Sequence, residues 1–149
     1  MVHFRFLKIA FFGLIVFGIS NAYAQRNPQI RHCQTLNGEF FVADAESDQF
    51  GFCQFGEAVI GTIDLLRYLD DGSEDGTDNR FDVLSIQAFA KNVHDCEPYG
   101  QLISVKKPQG ATLIMCQFSD GSLIENKTLM NGRYSNKNWK LSEALGLTR

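Results

Sequence analysis

The amino-acid sequence predicts an α+β fold made of two small disulfide-stapled repeats, each a helix, a β-hairpin and a second helix, packed together. Two observations carry this prediction. Cys-Gln-Phe occurs twice, at residues 53–55 and 116–118, and each copy follows another cysteine by twenty positions. Each copy also holds two extended apolar runs separated by a polar turn, which is typical of a hairpin. We interpret the shared pattern as an internal repeat.

The elements follow from local patterns. Pro28 stands where the first turn of a helix favours proline, ahead of the first cysteine. Gly38 and Gly100 are expected to end the turn as left-handed caps. Apolar residues at helical spacing predict a further helix over residues 57–69. The predicted organisation is a first repeat over 25–69, an acidic connector and helix over 70–87, and a second repeat with a C-terminal tail over 88–149. The tail, which includes Tyr134 and Trp139, is expected to add a strand or a short helix over one module.

Residues 1–24 predict a secretory signal peptide. Arg5 and Lys8 precede an apolar run of about eleven residues, and Ala22 and Ala24 stand at the positions that signal peptidase reads. A membrane anchor is the alternative, but so short a run cannot cross about 30 Å of hydrocarbon. We therefore expect a periplasmic or secreted protein with no membrane span after the signal is removed.

The four cysteines predict a disulfide framework, because an even cysteine count in a short exported chain is typical of one. Four cysteines allow three pairings. The repeat favours Cys33 with Cys53 and Cys96 with Cys116. Each bond closes a loop worth about 3 kcal/mol by the chain-entropy estimate.

Several of these residues match the pattern of a known exported bacterial domain. In the first repeat they are Asn27, Pro28, Cys33, Gly51, Cys53 and Phe55; in the second they are Cys96, Gly100, Cys116, Phe118, Asp120 and Gly121. The chain thereby resembles a divergent tandem copy of domain of unknown function 333, whose members are often labelled putative haemolysins. Family members usually carry a further cysteine and then a tryptophan after this motif. Here the two cysteine sites hold Ile60 and Ile124, and the two tryptophan sites hold Ile63 and Lys127.

The acidic connector admits two interpretations. It can be aligned with the calcium loop of an EF-hand, with Gly76 at the sharp turn. The side-chain ligands would then be Asp71, Ser73, Asp75, Asn79 and Asp82. Asp78 stands where that loop is normally apolar, and Asp82 is shorter than the usual glutamate. The alternative, which we favour, is a solvated linker whose glycines and aspartates break the helix.

Aromatic residues are concentrated in the first repeat, and strand alternation places some of them on the sheet face opposite the cysteine. Phe41, Phe50 and Phe52 are therefore the candidate binding face. That face would receive either the other repeat, which is the more economical interpretation, or an outside partner.

Motifs for other functions are lacking in the sequence. No glycine-rich phosphate loop, Gly-x-Ser-x-Gly or HExxH is present, and the isolated acids resemble surface residues. A zinc site from His32, His94 and two cysteines is disfavoured, because adjacent His32 and Cys33 cannot easily share one metal. Residues 25–87 carry four basic and twelve acidic side chains, a net of −8, and residues 88–149 carry eight and five, a net of +3. This pattern does not favour nucleic-acid binding.

The sequence thus predicts an exported, non-catalytic binding or interaction module. Its partner would be an unidentified protein or cell-envelope ligand, and no cofactor is expected unless the connector holds calcium. The alternative function is a calcium-binding protein that uses the connector as an EF-hand-like loop.

Overall fold

The computed structural model describes residues 27–69 and 82–147, which form six strands and five helices. The elements in chain order are α1 (Pro28–Thr35), β1 (Glu39–Asp44), β2 (Gln49–Phe55), β3 (Ala58–Gly61), α2 (Thr62–Leu69), α3 (Leu84–Ala90), β4 (Gly100–Lys106), β5 (Thr112–Phe118), β6 (Leu123–Glu125), α4 (Asn126–Asn131) and α5 (Trp139–Ala144). The predicted signal peptide and most of the acidic connector lie outside the described residues.

The six strands form one closed antiparallel barrel with the order β1-β2-β3-β6-β5-β4. Each half of the chain contributes three consecutive strands. The halves join where Ile60 of β3 pairs with Ile124 of β6, and again where Asp44 of β1 pairs with Lys106 of β4. The prediction of two separate helix–hairpin–helix repeats is therefore wrong. A three-stranded sheet leaves two unpaired edges, and here each edge pairs with an edge of the other half.

The error arises mainly from the segment after the second cysteine of each half. Residues 57–69 were predicted to be one helix, but Ala58–Gly61 is a strand and the helix begins only at Thr62. A short apolar run fits a buried strand and a buried helix equally well. The two hairpins were predicted correctly, as β1 with β2 and β4 with β5. The short helix predicted in the tail is α5.

The barrel interior is filled by one buried apolar side chain from each strand: Ala43, Phe52, Val59, Leu123, Met115 and Val105. Phe41 and Phe50 are partly buried and pack against this cluster. The ring centroids of Phe41 and Phe52 lie 5.5 Å apart. Phe52 is fully buried, and the cluster against which these phenylalanines pack includes Val105, Met115 and Leu123 of the other half. The three phenylalanines point into the barrel.

A second apolar cluster lies between the outer barrel surface and the helices, and it contains both disulfide bonds. Cys33 is bonded to Cys53 and Cys96 to Cys116, as predicted. The prediction that Gly38 caps α1 is wrong, because Asn37 takes the left-handed conformation with φ of 60°. Gly38 instead leaves room for the disulfide, since a Cβ there would collide with the Cys53 sulfur.

Two equivalent hydrogen bonds connect the helix of each half to a strand of the other half. In one, Asp64 Oδ2 accepts from the backbone N–H of Leu123 at 2.8 Å. In the other, Thr128 Oγ1 accepts from the backbone N–H of Val59 at 3.0 Å. All four residues are buried. The side chains on α2 and α4 therefore satisfy backbone donors of β6 and β3, which stabilises the seam between the halves.

Candidate binding cleft beside the C-terminal helix

The segment between α4 and α5 is held in one conformation by a buried amide. Asn138, which is 1% exposed, donates from Nδ2 to the carbonyl oxygens of Thr128 at 2.7 Å and Gly132 at 2.9 Å. Gly132 has a φ of 72°, a conformation that favours glycine. These contacts fold residues 132–138 back onto the end of α4, so the following aromatic side chain is displayed from a fixed backbone.

The loop after α3 supports this segment from a second side. The Arg133 backbone N–H donates to Asn92 Oδ1 at 3.1 Å, and His94 Nδ1 donates to the carbonyl oxygen of Met130 at 2.9 Å. A Cβ on Gly132 would lie 2.6 Å from Asn92 Oδ1. His94, which the sequence left without a role, thus orders the end of α4.

Helix α5 is held in place by two hydrogen bonds. Within the helix, the Ser142 hydroxyl donates to the carbonyl oxygen of Arg133 at 2.7 Å. Just beyond its end, the Tyr68 hydroxyl of α2 donates to the carbonyl oxygen of Leu145 at 2.7 Å. Leu141 and Leu145 are buried in the outer cluster. The inner face of α5 is thereby packed, and Trp139 and Glu143 stand on its exposed face.

Two clefts flank α5. The first has a volume of about 330 Å³ and includes Tyr134, Asn136, Trp139 and Glu143 in its lining. The second has a volume of about 450 Å³ and lies between α5 and the end of α1; its lining includes Thr35, Asn37, Trp139, Lys140 and Glu143. Trp139 and Glu143 line both clefts. The tryptophan side chain, 54% exposed, therefore stands between two adjoining depressions.

Cationic side chains accompany both exposed aromatic rings. The Arg133 guanidinium lies 4.4 Å from the centroid of the Tyr134 ring, and Lys140 Nζ lies 5.9 Å from that of Trp139. Tyr134 is 48% exposed. These contacts keep positive charge at the rim of the first cleft and along α5, where a ligand bound against the rings would meet it.

Buried carboxyl groups lie elsewhere, at the seam of the barrel. Burial raises the pKa of Asp64 to about 7, although the Leu123 N–H and Arg67 oppose that rise. Burial also raises the pKa of Glu125, whose Oε2 accepts from the Thr128 hydroxyl at 3.0 Å. Burial acts in the same direction on Asp120, but hydrogen bonds from Ser122 and Leu84 outweigh it, and the pKa lies below its usual value. All three carboxylates accept hydrogen bonds that hold the fold together.

Of the predicted calcium ligands, the structure describes only Asp82. Asp71, Ser73, Asp75 and Asn79 lie outside the described residues, and Asp82 is exposed just before α3. Within residues 27–69 and 82–147, no three histidine, cysteine or acidic side chains are grouped to hold a metal ion. The calcium loop stays a prediction from the sequence.

Sequence reasoning missed the cleft. It treated Tyr134 and Trp139 only as parts of a tail that covers one module. The available signal was two large aromatic residues within the otherwise polar stretch GRYSNKNWK, where few neighbours could bury them. Such residues at a surface are typical of interfaces.

No family model, curated protein or solved structure matches this chain. None of the helices in the described part is long and apolar enough to cross a membrane.

Proposed function

We propose that this protein is an exported, non-catalytic binding module whose ligand lies against Trp139 in the two clefts that flank α5. One observation carries the proposal: Trp139 and Tyr134 are about half exposed, yet the backbone around them is fixed by hydrogen bonds to the side chains of Asn138, Ser142 and Asn92. A rigid backbone that displays aromatic rings binds with a small loss of conformational entropy.

The composition of the clefts supports binding. Tryptophan, tyrosine and arginine are the residues most enriched among those that contribute strongly to binding free energy. Trp139, Tyr134 and Arg133 bring all three to one surface. Among the described residues that line the two clefts, Glu143 is the one carboxylate. The described lining residues do not include the second carboxylate that glycoside hydrolysis usually requires, so we propose that the ligand is held and not converted.

An extracytoplasmic location, periplasmic or secreted, is part of the proposal. The two disulfide bonds are compatible with an oxidising compartment. The apolar stretch with Ala22 and Ala24 supports export by a cleaved signal. The relationship to domain of unknown function 333 also stays a proposal, supported by the cysteine and glycine spacing alone.

The function is tested with a panel of cell-envelope oligosaccharides and peptides. A ligand is expected to raise the thermal midpoint of the mature protein by mass action and to be recovered chemically unchanged. The Trp139→Ala and Tyr134→Ala variants should lose that rise. Tyr99→Ala is the matched control, because Tyr99 is 59% exposed but lines neither cleft. Conversion of the ligand, or an equal rise in Trp139→Ala, would reject the proposal.

A further inference from the structure

The two clefts beside α5 form one elongated site. Trp139 and Glu143 are four residues apart on the helix, so they lie on the same face, and both line both clefts. A ligand that fills only one cleft would not contact the part of Trp139 that lines the other cleft. The geometry therefore suits a linear ligand that lies across Trp139 and places a unit on each side.

The polar groups of the lining match a ligand rich in hydroxyl groups. Asn136 and Ser135 line the first cleft, and Asn37 and Thr35 line the second. Each amide offers two donors and an acceptor, and each hydroxyl donates and accepts. Sugar rings combine such hydroxyl groups with a flat face of C–H bonds that packs against an aromatic ring. A glycan thus uses both features of the site, the polar lining and the Trp139 ring.

The charge around α5 indicates an acidic ligand. Residues 126–147 carry Lys127, Arg133, Lys137 and Lys140 against the single acid Glu143, a net of +3. The whole chain has a net charge of −3. The positive charge is therefore concentrated in this segment of the chain. Glu57 Oε2 lies 3.6 Å from Lys127 Nζ and 3.6 Å from Lys137 Nζ, so it offsets part of this positive charge. Lys140 and Arg133 lie beside the aromatic rings.

We propose that the site binds a linear acidic polysaccharide, with one sugar ring stacked on Trp139 and its neighbours in the two clefts. Lys140 and Arg133 face the carboxylate groups of the chain. This inference rests on the proposed function and names the ligand class of the same site.

The test titrates the mature protein with an oligogalacturonate, a linear chain of uronic acid sugars. Trp139 is the single tryptophan of the sequence, so its fluorescence reports directly on the site. A saturable change is expected. The same oligosaccharide with its carboxylates methyl-esterified should bind at least about tenfold more weakly, and added salt should weaken binding of the charged form. Lys140→Gln should weaken binding as well, whereas Lys91→Gln, at an exposed site outside both clefts, should not.

Three results would overturn the inference: an unchanged fluorescence, equal binding of the esterified chain, or calorimetric binding of oligogalacturonate that survives in Trp139→Ala. Polyglutamate serves to separate this failure from failure of the proposed function. If polyglutamate binds in a Trp139-dependent way and oligogalacturonate does not bind, the ligand class is an acidic peptide and not a glycan. The proposed binding function would then stand.

Discussion

At the scale of single residues, Asp64 shows how the sequence joins the two halves at a cost. Its carboxylate is 1% exposed and accepts the Leu123 N–H, while Oδ1 accepts no hydrogen bond from the described residues. Arg67 Nη1 lies 3.9 Å away but is partly exposed, so its charge compensates only in part. Asp120 shares Arg67 and adds a second negative charge nearby.

Because the pKa of Asp64 rises from 3.8 to about 7 on folding, we predict a pH-dependent stability. The contribution is fully present below about pH 4 and is lost as the pH rises through about 7, since over this range the folded state holds a proton that the unfolded state has released. It amounts to at most about 4 kcal/mol. Asp64→Asn should flatten the decline of the free energy of unfolding between about pH 4 and about pH 7, measured by urea denaturation. An identical slope in wild type and variant would contradict this.

Thr128 performs the equivalent task in the other half, and it is uncharged. Thr128→Val keeps the shape but removes the acceptor for the Val59 N–H and the donor to Glu125. We predict a loss of about 1–3 kcal/mol in the free energy of unfolding, because buried polar groups are left without partners. Thr112→Val, the same substitution at an exposed strand position, should change it by less than about 0.5 kcal/mol. Equal effects at the two sites would show that the hydrogen bond to Val59 contributes little.

At the scale of elements, one disulfide in each half joins the hairpin to the segment that precedes it. Both bonds join cysteines 20 residues apart. We predict that replacing either pair by alanine lowers the free energy of unfolding by about 3 kcal/mol, since the closed loops have the same length. The two double variants control for each other in the same denaturation experiment. A variant that lost nothing would show that its bond is not formed in the mature protein.

The sequence predicted the elements with strong local signals and missed those that depend on the other half. The two hairpins and the Cys33–Cys53 pairing follow from alternation, turns and the repeated spacing. The strand Ala58–Gly61 could not be recognised, because its partner Ile124 lies 64 positions away and a run of four apolar residues fits a helix as well. Phe52 shows the same dependence on the other half: alternation gives the face, and only barrel closure shows that this face is the interior.

The cleft was missed for a different physical reason. Exposure of Trp139 depends on the hydrogen bonds that Asn138 donates to Thr128 of α4 and to Gly132, and on the packing of Leu141 in the outer cluster. No local pattern in the tail separates an aromatic residue that covers the core from one that faces solvent.

At the scale of the whole molecule, the acidic connector is the sequence segment between α2 and α3, and calcium binding to it is a prediction that can be tested. If it is a calcium loop, millimolar calcium should raise the thermal midpoint relative to chelator, and Asp75→Ala should abolish the rise. Asp48→Ala, at an exposed acid in the turn between β1 and β2, is the matched control. An unchanged midpoint in the wild type would leave the connector as a linker, which is the outcome we predict.

We propose that the barrel displays one ligand site beside α5, and nuclear magnetic resonance of the isotope-labelled mature protein can locate that site. On addition of oligogalacturonate, we predict amide shift changes confined to residues 133–147 and 35–37, where the two clefts lie. Changes centred instead on the outer face of β4 and β5, where Leu102 and Ile114 are exposed, would contradict the proposal, because they would place the binding surface on these strands.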